Sequence, residues 1–511
     1  MRFLLSVRRD SALAPSSALS PLLPIALACA LTLAPLAHAA AQMPASEFSA
    51  RREALARSVG DGITLVLGAP EMVPDYKLWT QSPHFYYLTG FREPSTALVL
   101  IRTSGNTRGL LFVQPRNPAR EVWNGVRLGV EGVQPRFGLD GRDWGSFPRV
   151  LDSLLTGAST LHVVGDFEGS PHDRSAHTEM LDAIKRRHPQ LRVNDVSGTV
   201  ASMRGRKSAT EFDRLRIAAG ISARGHLAAI RLATPGVGEF ELQAAAEHVW
   251  RAEGGDGPGY QSILGSGPNS TILHYNANSR ITEPGDLVVM DMAAMFDGYS
   301  ADITRTIPVS GRFTPAQREI YEIVLAAQAA AERQVRPRSP AKAMVDSSNA
   351  ALAAGLTRLG LIESPSATYD CGTAARPQLC PQLALFYMHG LGHGIGLEVH
   401  DPEQYYEAGM IDIGSAFTIE PGIYVRGHLA DILPDTPRNR AYAARIAPLL
   451  ARYGGIGVRI EDDYLVTANG VERPSAEVPR DIDALERLLA EPRTARDPSV
   501  TARYRRHATG R

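Results

Sequence analysis

An excess of charge of either sign is missing from this chain of 511 residues. Lys+Arg and Asp+Glu both number 54, so the formal net charge is zero. Such a balance leaves no electrostatic footprint for nucleic acid or an anionic membrane surface. The locally basic end, DPSVTARYRRHATGR, reads as a solvated tail. Cysteine is scarce, with three in the whole chain. Cys371 and Cys380, in YDCGTAARPQLCPQ, lack metal-ligand spacing, which argues against a thiolate zinc site or cysteine catalysis. Long hydrophobic runs are also lacking: PLLPIALACALTLAPLA is broken by prolines and falls short of the ~20 apolar residues of a comfortable membrane span.

What is present is the composition of an ordinary globular protein, 44% hydrophobic and 21% charged. At roughly 100–200 residues per domain, the length predicts more than one domain. The start of the chain reads as a signal peptide, residues 1–39, removed on export. Arg2, Arg8 and Arg9 form its basic region, the apolar stretch follows, and Ala37-His38-Ala39 fits a cleavage site. Arg8-Arg9 also suits a twin-arginine signal. The expectation is an exported protein, periplasmic or secreted, without a stable membrane span. Cys29 would leave with the signal, and the pair Cys371 and Cys380 would close a disulfide in an oxidising compartment; two free thiols are the alternative.

The fold class read from the pattern is mixed α/β (α+β). The runs ITLVLGA, ALVLIRT, LLFVQ and LHVVGD are strand-like, with helical spacing in HTEMLDAIKRRH, and predict an amino-terminal α/β domain over 43–205. A basic linker leads into Ser208-Ala-Thr-Glu, a helix start. From 207 to 472 a helix-helix-strand-strand pattern runs twice, predicting pseudo-two-fold halves. The first round has helices near 209–233 and 238–253 and strands around GYQSILGSG, TILHYN, LVVMDMA and SADITRTIPV. The second has helices in TPAQREIYEIVLAAQAAAERQV and PAKAMVDSSNAALAAGLTRLG and strands in AFTIEPGIYV and GVRIEDDYLV. Residues 473–511 form a C-terminal extension with a disordered end.

Three acids stand inside apolar, strand-like runs: Asp291 in LVVMDMAAMF, Glu420 in AFTIEPGIYV and Glu461 in GVRIEDDYLV. A buried carboxylate without a partner would protonate, so several converging on one core imply a compensating cation, and a metal is the candidate. Asp302 joins them, since Asp291 and Asp302 flank the hairpin dipeptide Asp297-Gly298 and are expected opposite each other on one face. His389, His393 and His400 lie in MHGLGHGIGLEVHD, whose glycines favour irregular backbone and close approach to substrate or metal. His274, in TILHYNAN, reads by itself as structural. The alternation Val458-Arg459-Ile460 turns Glu461 inward and Asp462 to the other face. The donor set is rich in oxygen and free of thiolate, which favours a hard or borderline divalent ion such as Mn²⁺. Four carboxylates exceed the needs of one ion, so a carboxylate-bridged pair is expected.

Together LHY at His274, the Asp291/Asp302 pair, HGLGHGIGLEVHD, IEPGIY and RIEDD resemble, in order and spacing, the pita-bread metallopeptidases, most closely aminopeptidase P. HFYYLTGFREPSTALVL and EVWNGVRLG resemble the amino-terminal domain of aminopeptidase P and prolidase. The resemblance spans roughly residues 45–470. It implies Asp291, Asp302, His393, Glu420 and Glu461 as ligands of two divalent ions, Mn²⁺ first with Co²⁺ or Zn²⁺ as alternatives. Asp302 and Glu461 would bridge both ions, Asp291 would serve one, and His393 and Glu420 the other. It implies His274, His389 and His400 as residues that hold substrate and stabilise the transition state, and Arg459 as a support behind the ligands. Glu420 would carry a proton while a metal-bridging hydroxide attacks the carbonyl before proline. The implied activity is removal of an N-terminal residue preceding proline; a dipeptidase restricted to Xaa-Pro is the alternative, and a peptide-binding relative without catalysis is disfavoured by the intact ligand set. The resemblance also implies a homo-oligomer, dimer or tetramer, with Trp123 as a contributor to a neighbour's site. Two departures from the family pattern are the Cys371–Cys380 loop and the long segment 425–455.

Overall fold

Val, Leu and Ile crowd the strands of a six-stranded mixed sheet in the amino-terminal half, where side chains on both faces are covered. In this computed structural model, which describes residues 43–72, 79–167, 175–373, 375–402, 409–495 and 498–500, the strands are β1 (Gly62–Leu67), β2 (Ala97–Thr103), β3 (Asn106–Val113), β4 (Asp140–Asp143), β5 (Thr160–Val164) and β6 (Arg192–Asp195). Their order is β4-β3-β2-β1-β5-β6. The signal-like segment, with Arg8-Arg9 and Cys29, lies outside the described residues, as does most of the basic tail. Among the described residues no helix is long and apolar enough to cross a membrane.

Helix α1 (Ser197–Arg204) ends this half, and Gly205-Arg206-Lys207 leads to α2 (Ala209–Leu232). Ser208 caps α2: its hydroxyl accepts from the Glu211 N–H while the Glu211 carboxylate accepts from the Ser208 N–H. Helix α3 (Glu239–Ala252) packs on α2, and β7 (Ile263–Ser266), β8 (Leu287–Asp291) and β9 (Thr304–Pro308) form an antiparallel sheet ordered β9-β8-β7. The second round repeats the helix pair as α4 (Pro315–Glu332) and α5 (Ala341–Leu359). It is followed by β10 (Ala416–Ile419), β11 (Gly422–Val425), β12 (Ile456–Arg459) and β13 (Asp462–Thr467), with β10 on β13 and β11 on β12. The halves meet where β9 runs beside residues 459–461: the Glu461 N–H donates to the Thr304 carbonyl at 3.1 Å, and Thr306 Oγ1 to the Arg459 carbonyl at 2.9 Å.

Two expectations need correction. TILHYN is not a strand: Gly267–Thr271 is a 3₁₀ turn, and Ile272–Asn278 has no ladder partner. The free edge of β7 is instead met by a side chain, because Asn278 Oδ1 accepts from the Leu264 N–H at 2.9 Å and Nδ2 donates to the Ser262 carbonyl at 2.8 Å. Asp291 and Asp302 are not opposite each other. The two-residue turn Asp297-Gly298, with φ of 50° and 80°, pairs Phe296 with Tyr299, and that register carries Asp291 opposite Thr304. Asp302 is therefore displaced along the hairpin from Asp291, on the diagonal rather than face to face.

The segment 425–455 holds a further helix, Pro437–Tyr453, capped by Thr436. It is tied to the cysteine hairpin, since Asn439 Oδ1 accepts from the Asp370 N–H at 3.0 Å. Cys371 and Cys380 are joined by a disulfide across that hairpin. The C-terminal extension continues through Pro474–Glu477 and the helix Ile482–Leu489, whose apolar side is buried in the main core.

Candidate active site

Both halves of the second domain contribute to a cavity of about 500 Å³ at their junction, and its lining includes His274, Asp291, Asp302, His389, His393, His400, Glu420, Arg459 and Glu461. The strand ends explain why acids occupy buried positions. Asp291 closes β8, Asp302 precedes β9, Glu420 follows β10 where Pro421 interrupts the strand, and Glu461 sits between β12 and β13. Each apolar run thus delivers one carboxylate to the same place. The histidine segment is irregular, as its glycines require: a Cβ on Gly392 would lie 2.1 Å from the Thr418 carbonyl oxygen, so only glycine lets the segment lie against β10. There the Thr418 N–H donates to the His393 carbonyl at 2.9 Å and the Glu420 N–H to the Leu391 carbonyl at 2.8 Å.

Asp302, His393 and Glu461 each present a donor atom, all within 4.8 Å of one another. His393 Nε2 is 3.4 Å from Asp302 Oδ2, 3.4 Å from Glu420 Oε1 and 4.0 Å from Glu461 Oε1. Glu461 Oε2 accepts from the Thr304 hydroxyl at 2.6 Å, whereas Oε1 is buried with no hydrogen-bond partner. Asp291 lies slightly apart, with Oδ2 taking a bond from Arg459 Nη2 at 2.5 Å. Sequence reasoning missed Tyr260, whose hydroxyl is 2.7 Å from Asp291 Oδ1 and 2.5 Å from Asp302 Oδ1, so one O–H serves two carboxylates. It also missed Tyr424, whose hydroxyl accepts from Arg459 Nη1 at 2.8 Å and lies 2.8 Å from His389 Nε2. Single hydroxyls have no spacing signature; the only hint was Tyr424 within IEPGIY.

Electrostatics single out the same groups. Burial, followed by the neighbouring Asp302 and Glu420 carboxylates, pushes Glu461 well above the usual carboxylate range. Burial and then Asp291 raise Asp302. Burial also raises Glu420, to about 7 against the pull of His393 and Arg459. His393 moves the other way from what burial alone would do, because Asp302 and Glu420 hold its proton up to about 10. His389 is lowered to about 4 by burial and then by the Arg459 charge, so its imidazole is neutral at pH 7. His400 is lowered by burial and by His393, and the two rings lie 4.1 Å apart. His274 lines the cavity on the irregular stretch after the 3₁₀ turn.

A donor set of four carboxylates and one imidazole, with an orphaned buried oxygen on Glu461, fits divalent cations. The acids repel one another and lack enough protein cations to balance them. Cys371 and Cys380 do not line the cavity.

Residues 213–468 match the sequence pattern of metallopeptidase family M24, and residues 48–164 that of the aminopeptidase P N-terminal domain. Over 460 residues the chain is 33% identical to the Xaa-Pro aminopeptidase of Escherichia coli, covering 88% of this chain and 98% of that protein. Human Xaa-Pro aminopeptidase 3 is 29% identical over 451 residues, 86% of this chain and 83% of that one. Among solved structures, aminopeptidase PepP of Pseudomonas aeruginosa superposes with a TM-score of 0.73 at 32% identity, covering 88% of this chain and 98% of that chain.

Proposed function

The chain belongs to metallopeptidase family M24, and from that membership we infer that it is a metal-dependent aminopeptidase removing the N-terminal residue from peptides with proline in second position. One observation carries the reading: a cavity lined by four acids with too few protein cations to balance them sits in a chain that matches an Xaa-Pro aminopeptidase over 98% of that protein's length. The dipeptidase alternative is not favoured.

In this reading Asp291, Asp302, His393, Glu420 and Glu461 would together hold two divalent ions. Manganese is the first choice, with cobalt or zinc as alternatives. When bound, such ions polarise a carbonyl and acidify water. The protein's own groups do the rest. Arg459 and Tyr260 fix the Asp291 carboxylate, leaving it little rotational freedom. Glu420, at the turn after β10, would carry a proton to the departing nitrogen of proline. That nitrogen carries no hydrogen in the substrate and must gain one to leave. Neutral His389 is held at both ring nitrogens, Nδ1–H donating to the Gly390 carbonyl at 2.8 Å and Nε2 accepting from the Tyr424 hydroxyl at 2.8 Å, so it shapes the wall of the site. His274 and His400 stand by the substrate's path, with His274 the candidate to meet the oxyanion.

The proposal extends to context. The amino-terminal segment is a cleaved export signal, and the enzyme works as a homo-oligomer outside the cytoplasm. Trp123 is 82% exposed beside Val122 at 81%, an apolar pair available to a neighbouring subunit. The domains are taken as 43–205 and 207–472, with 473–511 as an extension.

Two peptides test the reading, an Xaa-Pro dipeptide and an Xaa-Pro-Yaa tripeptide, each given to the manganese-loaded protein. Release of the first residue from the tripeptide supports it; cleavage of the dipeptide alone would establish a prolidase instead.

A further inference from the structure

Seven residues lie between His393 and Asp401, and this stretch of chain is wound on the Asp401 carboxylate. The Asp401 N–H donates to the Gly394 carbonyl at 2.9 Å, and Asp401 Oδ1 accepts from the Glu398 N–H at 3.3 Å. A Cβ on Gly396 would stand 2.6 Å from Asp401 Oδ2, so the backbone passes directly over that oxygen. Both site histidines, His393 and His400, lie at the ends of this loop.

The carboxylate itself is held from the junction between the domains. Lys207 Nζ donates to Asp401 Oδ2 at 2.7 Å and Arg204 Nη2 to Oδ1 at 2.5 Å, with side chains only 1–2% exposed on all three. Arg204 is the last residue of α1, and its Nη1 lies 3.2 Å from His84 Nδ1 in the amino-terminal helix Pro83–Thr89. The Lys207 N–H donates to the Gly414 carbonyl at 2.8 Å, just ahead of β10. A buried ion pair adds little net stability compared with apolar packing, while removing one partner leaves the other charge buried and uncompensated.

We propose that Asp401, clasped by Arg204 and Lys207, is a positioning residue that transmits the placement of the amino-terminal domain to His393 and His400. The inference rests on the roles given above to those two histidines. The loop can satisfy its backbone in other ways; the two cations select the arrangement in which both imidazoles face the cavity.

The test uses the full chain loaded with manganese, as wild type, Asp401→Asn, Lys207→Met and the double variant. Four quantities are read: kcat, KM on an Xaa-Pro-Yaa peptide, manganese retained in equilibrium dialysis, and the thermal midpoint. Asp401→Asn should lose kcat by about 10–100-fold and bind manganese about tenfold more weakly, with KM changed little, the size found when residues behind metal ligands are removed. The double variant should lose no more than Asp401→Asn, because both substitutions break one clasp. A folded Asp401→Asn enzyme with wild-type kcat and wild-type manganese binding overturns the proposal, as do single losses that multiply in the double variant. Should Asp401→Asn fail to fold, Asp401→Glu keeps the charge and lengthens the arm; it should fold and still lose kcat, and full activity with it would overturn the proposal. If the wild type does not cleave the peptide, the functional reading fails, and manganese retention alone then decides whether the clasp positions the loop.

Discussion

Asp462 points from its strand into a cluster of cations, whereas Glu461, one residue earlier, points into a cluster of acids. Arg305 Nη2 meets Asp462 Oδ1 at 2.7 Å with both side chains fully buried, Ser475 adds a bond of 2.6 Å, and Arg480 and Gln328 attend the other oxygen. Burial would raise the Asp462 carboxyl, but Arg305, Arg473 and Arg480 hold it below its ordinary value. Glu461 is surrounded instead by Asp302, Glu420 and Asp291, and rises. The contrast separates two uses of a buried acid. Where the protein supplies the balancing charge the acid is architecture; where it does not, the site is built to receive charge from outside.

Substitution on each side breaks the comparison most sharply. Replacing Glu420 or His393 by Ala should lower kcat by something on the order of 10²–10⁴-fold while leaving the thermal midpoint close to wild type. Asp462→Asn should do the reverse. It strands Arg305 in the core and should remove about 3–5 kcal/mol of stability, read from denaturant unfolding, while molecules that remain folded keep wild-type kcat. Activity lost without stability lost at Asp462 would erase the distinction.

A smaller effect is expected behind the acids. Arg459→Met and Tyr260→Phe should each weaken manganese binding about 10–100-fold, measured by competition with a fluorescent chelator. The same conservative loss of a hydroxyl at Tyr464, which donates to Glu332 at 2.5 Å away from the cavity, should leave metal affinity unchanged.

The smallest effect is a drift with pH, opposite in sign on the two faces. In metal-free protein Glu420 sits at about 7 against 4.5 unfolded, so it binds more protons folded than unfolded, and stability falls as pH rises from about 4.5 to 7. His393, about 10 against 6.5, contributes stability that is full below 6.5 and lost as pH climbs through 10. Asp462 is depressed, so its contribution is present above 3.8 and lost only on acidification below that value. Scanning calorimetry of the metal-free protein should therefore show the midpoint decline by roughly a few degrees between pH 6 and 9. Metal loading should flatten that slope, since it must expel the His393 proton.

Much of the site was legible because an acid inside an apolar run violates a strong rule. Asp291, Glu420 and Glu461 stood out one at a time, and the histidine segment by its glycines. The hairpin register was misjudged because Asp297-Gly298 pairs Phe296 with Tyr299, which moves the partner of Asp291 downstream from Asp302 to Thr304. TILHYN was misread since the edge of β7 is closed by the Asn278 side chain, and a side chain replacing a ladder leaves no periodicity. Tyr260, Tyr424 and the Arg204–Asp401–Lys207 clasp were invisible for a different reason. They are contacts between distant segments, Lys207 and Asp401 lying 194 residues apart, and nothing local marks them.

The most direct test strips the purified chain of metal by dialysis against a chelator, then measures bound manganese and Xaa-Pro-Yaa cleavage together as the ion is returned. The account predicts no cleavage at zero metal, activity that rises in step with occupancy, and saturation at two ions per chain. Full-rate cleavage by the stripped protein, or failure to take up any divalent ion, would contradict it.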